Sequence, residues 1–224
     1  MTLKVQVFSD YVCPYCFLAE GPLNEAVAEL NGEQEGAVEI EWMPFELRAA
    51  PTPTLEPSGD YLKDGWRDSV YPMAESMGVH IVLPKVSPQP YTRLSFEGAL
   101  VARDMGKAND YHHRMFTAFF QDELDIGKAD VLADCAAEIG LDKQAFRAAL
   151  DSGQSADECE QHLRMGREIG INSVPTFVLN SRYGLPGMVP KDTLLSVFRE
   201  QIATDAKAAG GADTDTDTDT VAAS

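Results

Sequence analysis

The sequence predicts an α/β fold in which a small α/β unit is interrupted by a large block of helices. Alternating apolar residues of strand type occur near the two ends of the chain, at about residues 4–8 and 38–43 and again after residue 170. From about residue 61 to 170 the apolar residues follow a helical spacing instead. The simplest architecture for this order is one α/β unit that carries a helical insertion.

The N-terminal part predicts strand, helix and strand. Lys4–Phe8 alternates and is rich in β-forming residues. From about Cys16 to Leu30 the apolar residues recur at helical spacing, and Gly21-Pro22 predicts a kink because proline removes a backbone donor. After a polar break, Val38–Met43 alternates as a second strand.

The middle of the chain predicts four or five helices. A proline-rich stretch, APTPTLEPSG at residues 50–59, ends the β pattern, and helical spacing then runs from Tyr61 to about Gly170. The predicted breaks between helices fall at Pro84–Pro90, Asp125–Gly127 and Asp151–Gly153. We assign residues 49–170 to an α-helical insertion domain.

The C-terminal part returns to β structure. Thr176–Leu179 predicts a strand, another starts within Ser181–Gly184, and Lys191–Ile202 predicts an amphipathic helix. We assign residues 1–48 and 171–204 to one α/β domain that the insertion divides.

Residues 205–224 predict an acidic low-complexity tail with an alternating Asp-Thr run. The chain has 36 acidic and 18 basic residues, a net charge of −18, of which the tail carries −4. Such a chain repels nucleic-acid phosphates and anionic lipid, so we expect neither nucleic acid nor membrane as a partner. The remaining −14 favours a halophilic protein, because salt screens the self-repulsion of an acidic surface.

The chain predicts a cytoplasmic protein. Its apolar runs are shorter than the roughly 18 residues needed to cross a bilayer. Met1–Asp10 predicts a strand and lacks the basic and apolar regions of a secretion signal.

The motif Cys13-Pro14-Tyr15-Cys16 lies between the first strand and the first helix. Unpaired N–H groups and the dipole at a helix N-terminus stabilise a thiolate, so Cys13 is the expected nucleophile. Cys16, one turn further on, is placed to attack a mixed disulfide on Cys13 and release the product. Two alternatives are a structural zinc site, which needs two more Cys or His ligands, and a pair of inert buried thiols.

A second feature is Val174-Pro175-Thr176, directly before a predicted strand. A proline at this position can be cis and cannot donate a hydrogen bond to the sheet. On these residues alone, a simple strand-edge device and a functional loop both stay open.

Three segments together resemble a known family. FSDYVCPYCFLAEGPL, EIEWMPFEL and REIGINSVPTFVLNSRYGLPGMVP are similar to the DsbA-like branch of the thioredoxin superfamily. The similarity is greatest to its cytoplasmic FrnE-like members, which are related to 2-hydroxychromene-2-carboxylate isomerases and kappa-class glutathione transferases. The resemblance covers about residues 4–202 and implies a thioredoxin-like fold with a large α-helical insertion. It also implies a protein disulfide oxidoreductase that acts on protein or small-molecule thiols.

The resemblance implies where substrate is bound. Val174-Pro175 is then the cis-proline loop that faces the cysteines and helps to hold thiol or peptide substrates. The segment Trp42–Glu46 is expected along the nearby groove. The implied substrate-binding residues are Pro14, Tyr15, Trp42, Phe45, Val174 and Pro175.

The chain departs from the glutathione-dependent relatives, which carry serine at the position of Cys13 and lack the second cysteine. Both cysteines are present here, so dithiol–disulfide exchange is the expected activity, with no metal or other cofactor. The expected partners are thiol or disulfide substrates, proteins first, and a redox partner. One alternative is an isomerase or transferase that uses glutathione as co-substrate on a small aromatic compound. Another is a redox-silent module that binds a peptide or small molecule.

Cys135 and Cys159 are predicted on the inward faces of neighbouring helices, because Cys135 shares a face with Leu132 and Cys159 shares one with Leu163. Two interpretations stay open. Both can be buried thiols that act as small hydrophobic residues, or they can form a second disulfide, which requires Cα atoms within about 7 Å.

Overall fold

The computed structural model describes residues 2–211 of the chain. Strands and helices follow in the order that the sequence predicts, with helices between the second and third strands. The strands are β1 (Leu3–Ser9), β2 (Val38–Pro44), β3 (Thr176–Leu179) and β4 (Tyr183–Pro186). The helices are α1 (Pro14–Glu33), α2 (Asp60–Gly65), α3 (Tyr71–Met77), α4 (Arg93–Asp104), α5 (Ala108–Phe120), α6 (Ala129–Glu138), α7 (Lys143–Asp151), α8 (Ala156–Glu168) and α9 (Lys191–Gly211). A π-helical turn, Trp66–Val70, joins α2 to α3.

The four strands form one mixed sheet in the order β2-β1-β3-β4. β1 and β2 are parallel because α1 returns the chain to the same end of the sheet between them. β3 lies antiparallel to both β1 and β4. In the parallel pair the last partners are Ser9 and Pro44, so both chains leave the sheet at the same edge. The predicted α/β fold with a helical insertion is therefore confirmed.

Two hydrophobic cores meet at α1. Between the sheet and helices α1 and α9, the main buried side chains are Leu3, Val5, Val7, Leu23, Phe177, Leu179, Leu194 and Phe198. The core of the helical insertion includes Phe17 and Leu18 from the first half of α1, and Phe17 stacks on Phe116 and Phe120 at 5.6 and 5.7 Å between ring centroids. Burial of each such side chain contributes about 1.5–3 kcal/mol to stability. Because Cys13 and Cys16 belong to this second core, the insertion forms much of their surroundings.

Helix α4 packs closely on α5 through Gly98. A methyl group at this position would collide with the hydroxyl of Tyr111 and lie 3.1 Å from Cζ of Phe146. Any larger residue therefore forces these helices apart, since cores tolerate little added volume.

The helical region has more breaks than the sequence predicts. Six helical stretches, with α2 and α3 counted as one, replace the four or five expected in this part of the described chain. The unpredicted breaks follow α4 and α6, where Gly106 and Gly140 have φ of 76° and 88°. Glycine adopts this left-handed conformation at little steric cost and commonly ends helices.

The last helix is longer than predicted. It continues from Lys191 through Gly211, so residues 205–211, which the sequence assigns to the tail, are helical. Alanine is a strong helix former, and the segment ATDAKAA continues the helix without apolar periodicity. The rest of the predicted tail, residues 212–224, lies outside the described residues. Among the helices described, none has the length and apolar character needed to cross a membrane.

Candidate active site

Cys13 is the N-cap residue of α1, and Pro14 occupies the first helical position. The carbonyl of Cys13 accepts hydrogen bonds from the backbone N–H groups of Cys16 and Phe17, at 3.1 and 3.4 Å. Proline is favoured at this position because it needs no partner for an N–H group. The side chain of Cys13 therefore lies at the positive end of the helix, as the sequence predicts.

The thiols of Cys13 and Cys16 are both free and almost completely buried, with 5% and 4% of the residue exposed. Burial raises the pKa of Cys16 well above its ordinary value, and the neighbouring Cys13 sulfur raises it further. Cys16 is therefore a thiol, not a thiolate, near neutral pH.

The loop before β3 faces the cysteines. The Val174–Pro175 peptide bond is cis, and Sγ of Cys13 donates to the carbonyl of Val174 at 3.8 Å. The carbonyl of Pro175 accepts from the N–H of Gly187 at 2.7 Å, and the hydroxyl of Thr176 donates to the carbonyl of Ser173 at 2.8 Å. These bonds fix the loop against the CxxC motif, so the structure brings together two segments that lie far apart in the sequence.

A pocket of about 330 Å³ opens beside Cys13. The helical insertion contributes most of its wall, and the CxxC motif and Val174 close one side. Its lining residues are Asp10, Val12, Cys13, Pro14, Tyr15, Leu47, Arg48, Thr54, Leu55, Tyr61, Leu62, Gly65, Trp66, Val70, Gln89, Pro90, Thr92 and Val174. Leu47 and Tyr61 are exposed large hydrophobic residues of this wall, at 48% and 77%. The volume suits a small organic molecule or one extended side chain of a larger substrate.

Asp10 is a residue of this pocket that the sequence reasoning missed. It is 1% exposed, and its carboxylate accepts from the N–H groups of Leu47 at 2.7 Å and Val12 at 3.5 Å and from the side chain of Thr92. Burial outweighs these bonds and raises the pKa of Asp10 to about 7. The carboxyl group can therefore exchange a proton near neutral pH. Its position in the sequence, three residues before the CxxC motif and at the end of a strand, was the available signal.

The π-helical turn connects the insertion to the CxxC motif. The hydroxyl of Ser69, in this turn, lies 2.7 Å from the hydroxyl of Tyr15. Trp66, at the start of the turn, is 3% exposed and lines the pocket. π-helical turns are rare and are often found at functional sites, and the residue pattern of 66–70 does not distinguish this turn from an α-helix.

Trp42 and Phe45 are not among the residues that line this pocket, and their contact with substrate stays a prediction. The indole of Trp42 stacks on the imidazole of His112, with 3.5 Å between centroids, and its Nε1 donates to Asn109 at 2.7 Å. The pocket wall is formed instead by Leu47 and Arg48. β2 continues through Pro44, so Trp42 lies within the strand, and after β2 the chain lines the pocket only from Leu47 onwards.

Cys135 and Cys159 are fully buried in the helical core, and both are free thiols in this structure. Burial raises the pKa of Cys135 to about 11 and that of Cys159 to about 12. Their charged surroundings differ: Arg114 is the charged group with the largest effect on the pKa of Cys135, and Arg93 the one with the largest effect on the pKa of Cys159. Both cysteines are therefore buried thiols in this structure, and the second disulfide considered above stays a prediction.

Comparison with known proteins identifies the family. YwbO of Bacillus subtilis, an uncharacterized protein, is 42% identical over 209 residues, which cover 92% of this chain and 99% of YwbO. A probable DsbA oxidoreductase from Streptomyces coelicolor has a similar structure, with a TM-score of 0.75, 21% identity and coverage of 98% and 94% of the two chains. The cytosolic disulfide reductase DsbM from Pseudomonas aeruginosa, solved with GSH, has a TM-score of 0.65, 19% identity and coverage of 91% and 99%. The model of the DSBA-like thioredoxin domain matches residues 4–199. The chain therefore belongs to the DSBA-like thioredoxin domain family and has its thioredoxin-like fold.

Proposed function

We propose that the protein is a thiol–disulfide oxidoreductase in which Cys13 is the nucleophile and Cys16 the resolving residue. The observation that carries the proposal is the position of the Cys13 sulfur. It lies at the N-terminus of α1, against the carbonyl of Val174 and beside an open pocket. A helix N-terminus favours the thiolate, which is the reactive form in disulfide exchange.

The exchange proceeds in two steps. The thiolate of Cys13 attacks one sulfur of a substrate disulfide, so that a bond forms between Cys13 and that sulfur while the other half leaves as a thiolate. Cys16, after losing its proton, then attacks the sulfur of Cys13 and releases the second half. Two electrons pass from the enzyme dithiol to the substrate, and the reverse sequence oxidises two substrate thiols.

Asp10 is the proposed proton acceptor for the second step. The thiol of Cys16 must lose a proton although burial raises its pKa. Asp10 is close enough for its charge to act on Cys16, and its own pKa of about 7 suits transfer of a proton near neutral pH. Because Asp10 also lines the pocket, the proton has a route from the buried thiol towards solvent.

Substrate is proposed to lie between the cis-proline loop and the pocket. Pro14 and Tyr15 line this pocket together with Val174, while Pro175 fixes the loop. A small thiol such as glutathione is a suitable co-substrate in size, and the DsbM structure named above was solved with GSH. No metal is needed for this chemistry.

A trapping experiment tests the proposal. In Cys16→Ser the second step is blocked, so a mixed disulfide with substrate should accumulate on Cys13 and be released by a reductant. The matched control is the Cys13→Ser, Cys16→Ser double variant, which should trap nothing. If oxidised glutathione and oxidised model peptides leave no adduct on Cys16→Ser, the proposed exchange is wrong.

The same pocket also favours a second candidate, an isomerase or transferase that uses glutathione, because a pocket lined by Trp66 and Tyr61 suits an aromatic compound. Cys13→Ser separates the two functions. Disulfide exchange should be abolished in this variant, whereas a glutathione-dependent reaction on an aromatic substrate should persist.

A further inference from the structure

Arg48 is the one basic residue among the described residues that line the pocket beside Cys13. It directly follows Leu47, whose N–H binds the carboxylate of Asp10. Its Nη1 donates to the carbonyl of Pro53 at 3.2 Å, which leaves the other guanidinium N–H groups free to bind a ligand. The pocket therefore combines one fixed cation with the sulfur of Cys13.

The charge of Arg48 is not neutralised by the chain that the structure describes. Within residues 2–211 no carboxylate lies within 4.0 Å of its guanidinium, although acidic residues outnumber basic ones by 36 to 18. Most other arginines are paired, for example Arg93 with Glu160 and Arg114 with Glu138, both at 2.7 Å. Arg164 and Arg182 also lack a carboxylate partner among the described residues, but neither lines the pocket. An unpaired guanidinium in an acidic protein is suited to binding an anion that the protein itself does not supply.

The rest of the pocket wall beyond Arg48 is mainly apolar. Its apolar members include Leu55, Leu62, Trp66 and Val70, and Trp66 and Val70 are each 3% exposed. Aromatic and aliphatic walls favour a ligand with an apolar body, and a single cation fixes its orientation. The space, about 330 Å³, admits a small molecule with both features.

We propose that Arg48 determines substrate specificity and selects small disulfides and thiols that join an aromatic or apolar body to a carboxylate. The inference rests on the disulfide exchange proposed above and names its substrate class. The carboxylate binds the guanidinium of Arg48, the apolar body lies against Trp66, and the sulfur faces Cys13. Arg48 acts in binding and takes no part in the transfer of electrons or protons.

Two aromatic disulfides provide the test, one charged and one neutral. 5,5′-Dithiobis(2-nitrobenzoate) carries a carboxylate on each ring, and 4,4′-dithiodipyridine carries none. With either probe the reduced enzyme forms a mixed disulfide on Cys13 and releases one aryl thiol. Cys16 then releases the second aryl thiol and leaves the Cys13–Cys16 disulfide, so one dithiol is oxidised for each disulfide reduced. Both releases are followed by absorbance in a single turnover.

Arg48→Gln should lower the second-order rate constant for the carboxylate probe about tenfold, which corresponds to the loss of one exposed charge-assisted contact. The loss should appear in the half-saturating probe concentration while the limiting single-turnover rate is unchanged, and the rate constant for the neutral probe should change less than about twofold. Arg48→Lys should recover part of the loss, because it keeps the charge but not the planar fork. Arg182→Gln is the matched control, since Arg182 is exposed and lies outside the pocket lining, and the substitution removes the same charge.

Each outcome decides the matter. A loss confined to Arg48→Gln and to the carboxylate probe supports the proposal. Equal slowing by Arg48→Gln and Arg182→Gln, or equal slowing of both probes, overturns it, because the effect would then be long-range electrostatics or damage to the site. If the wild type reacts no faster than Cys13→Ser with either probe, the proposed disulfide exchange itself fails, a result distinct from a lack of selectivity.

Discussion

Replacement of Asp10 by asparagine is expected to stabilise the folded protein, and to do so much more at pH 8 than at pH 5. Asp10 is buried, and its pKa is raised from 3.8 to about 7. A carboxyl group whose pKa is raised on folding favours the folded state only while it is protonated. Its contribution is complete below about pH 4 and is lost as the pH rises to about 7. Above that pH, the folded protein holds a buried charge that asparagine does not carry.

The size of the effect follows from the shift in pKa. With a folded pKa of about 7 and an unfolded pKa of 3.8, ionisation costs about 4 kcal/mol at pH 8 and about 1.7 kcal/mol at pH 5. Asparagine keeps one oxygen to accept from Leu47 but cannot replace every bond that the carboxylate accepts from Val12 and Thr92, at a cost of about 1 kcal/mol. The expected gain in the free energy of unfolding is therefore about 3 kcal/mol at pH 8 and about 1 kcal/mol at pH 5.

Urea unfolding of the reduced protein at the two pH values, followed by far-UV circular dichroism, measures both gains. The comparison of two variants at two pH values cancels the titration of the histidines and of other carboxylates. Asp60→Asn is the control, since Asp60 is exposed at the start of α2 and should show the same small change at both pH values. A gain from Asp10→Asn that is equal at pH 5 and pH 8 would refute the reasoning. The stabilised variant should resolve the Cys13 mixed disulfide more slowly at pH 8, because it has lost the proton acceptor.

Three further predictions test the packing, the thiols and the surface. Gly98→Ala should lower the free energy of unfolding by about 1–2 kcal/mol because the added methyl group overpacks the core. Gly21→Ala, which has open space around it in α1, should raise the free energy of unfolding by up to about 1 kcal/mol. Chemical denaturation measures both, and equal changes in the two variants would contradict this prediction. In the reduced native protein, iodoacetamide should modify Cys13 first, and Cys135 and Cys159 only after unfolding. Peptide mass spectrometry measures the order. If Cys135 and Cys159 resist alkylation even in the unfolded protein without reductant, they form a disulfide. The net charge of −18 predicts that the free energy of unfolding rises by on the order of 1 kcal/mol or more between 0.05 and 2 M KCl, and unchanged stability would remove the halophilic interpretation.

The features that the sequence predicts correctly depend on local signals. Strand alternation at Lys4–Phe8 and Val38–Met43 and the helical spacing after Cys16 are each visible within a few residues. The placement of Cys13 at a helix N-terminus follows from the same local order, strand then turn then helix. The breaks after α4 and α6 were also local, at Gly106 and Gly140, but a single glycine within an apolar pattern is a weak signal.

The pocket could not be predicted in the same way, because it is assembled from segments far apart in the chain. Asp10, Arg48 and Trp66 line it together, yet nothing in the sequence near each of them indicates that they meet. Trp42 shows the same dependence on the assembled fold. The family resemblance implied a place along the substrate groove, whereas in the structure the indole lies within β2, which ends one residue later than predicted, and stacks on His112. The register of the parallel pair decides which residues reach the edge of the sheet, and the strand pattern alone does not fix where the strand ends.

The helical insertion forms much of the surroundings of the CxxC motif. The two cysteines are covered by the core of the insertion, and Tyr15, between them, is tied to Ser69 of the π-helical turn. Burial in that core raises the pKa of Cys16, so the helices that set this burial also set how readily the second step occurs. Arg48 precedes α2 in the chain, and its unpaired guanidinium lines the pocket beside Cys13. In the exchange proposed above, the α/β unit therefore provides the reactive sulfur at its helix N-terminus together with Arg48, while the insertion forms most of the pocket wall and sets the burial of Cys16.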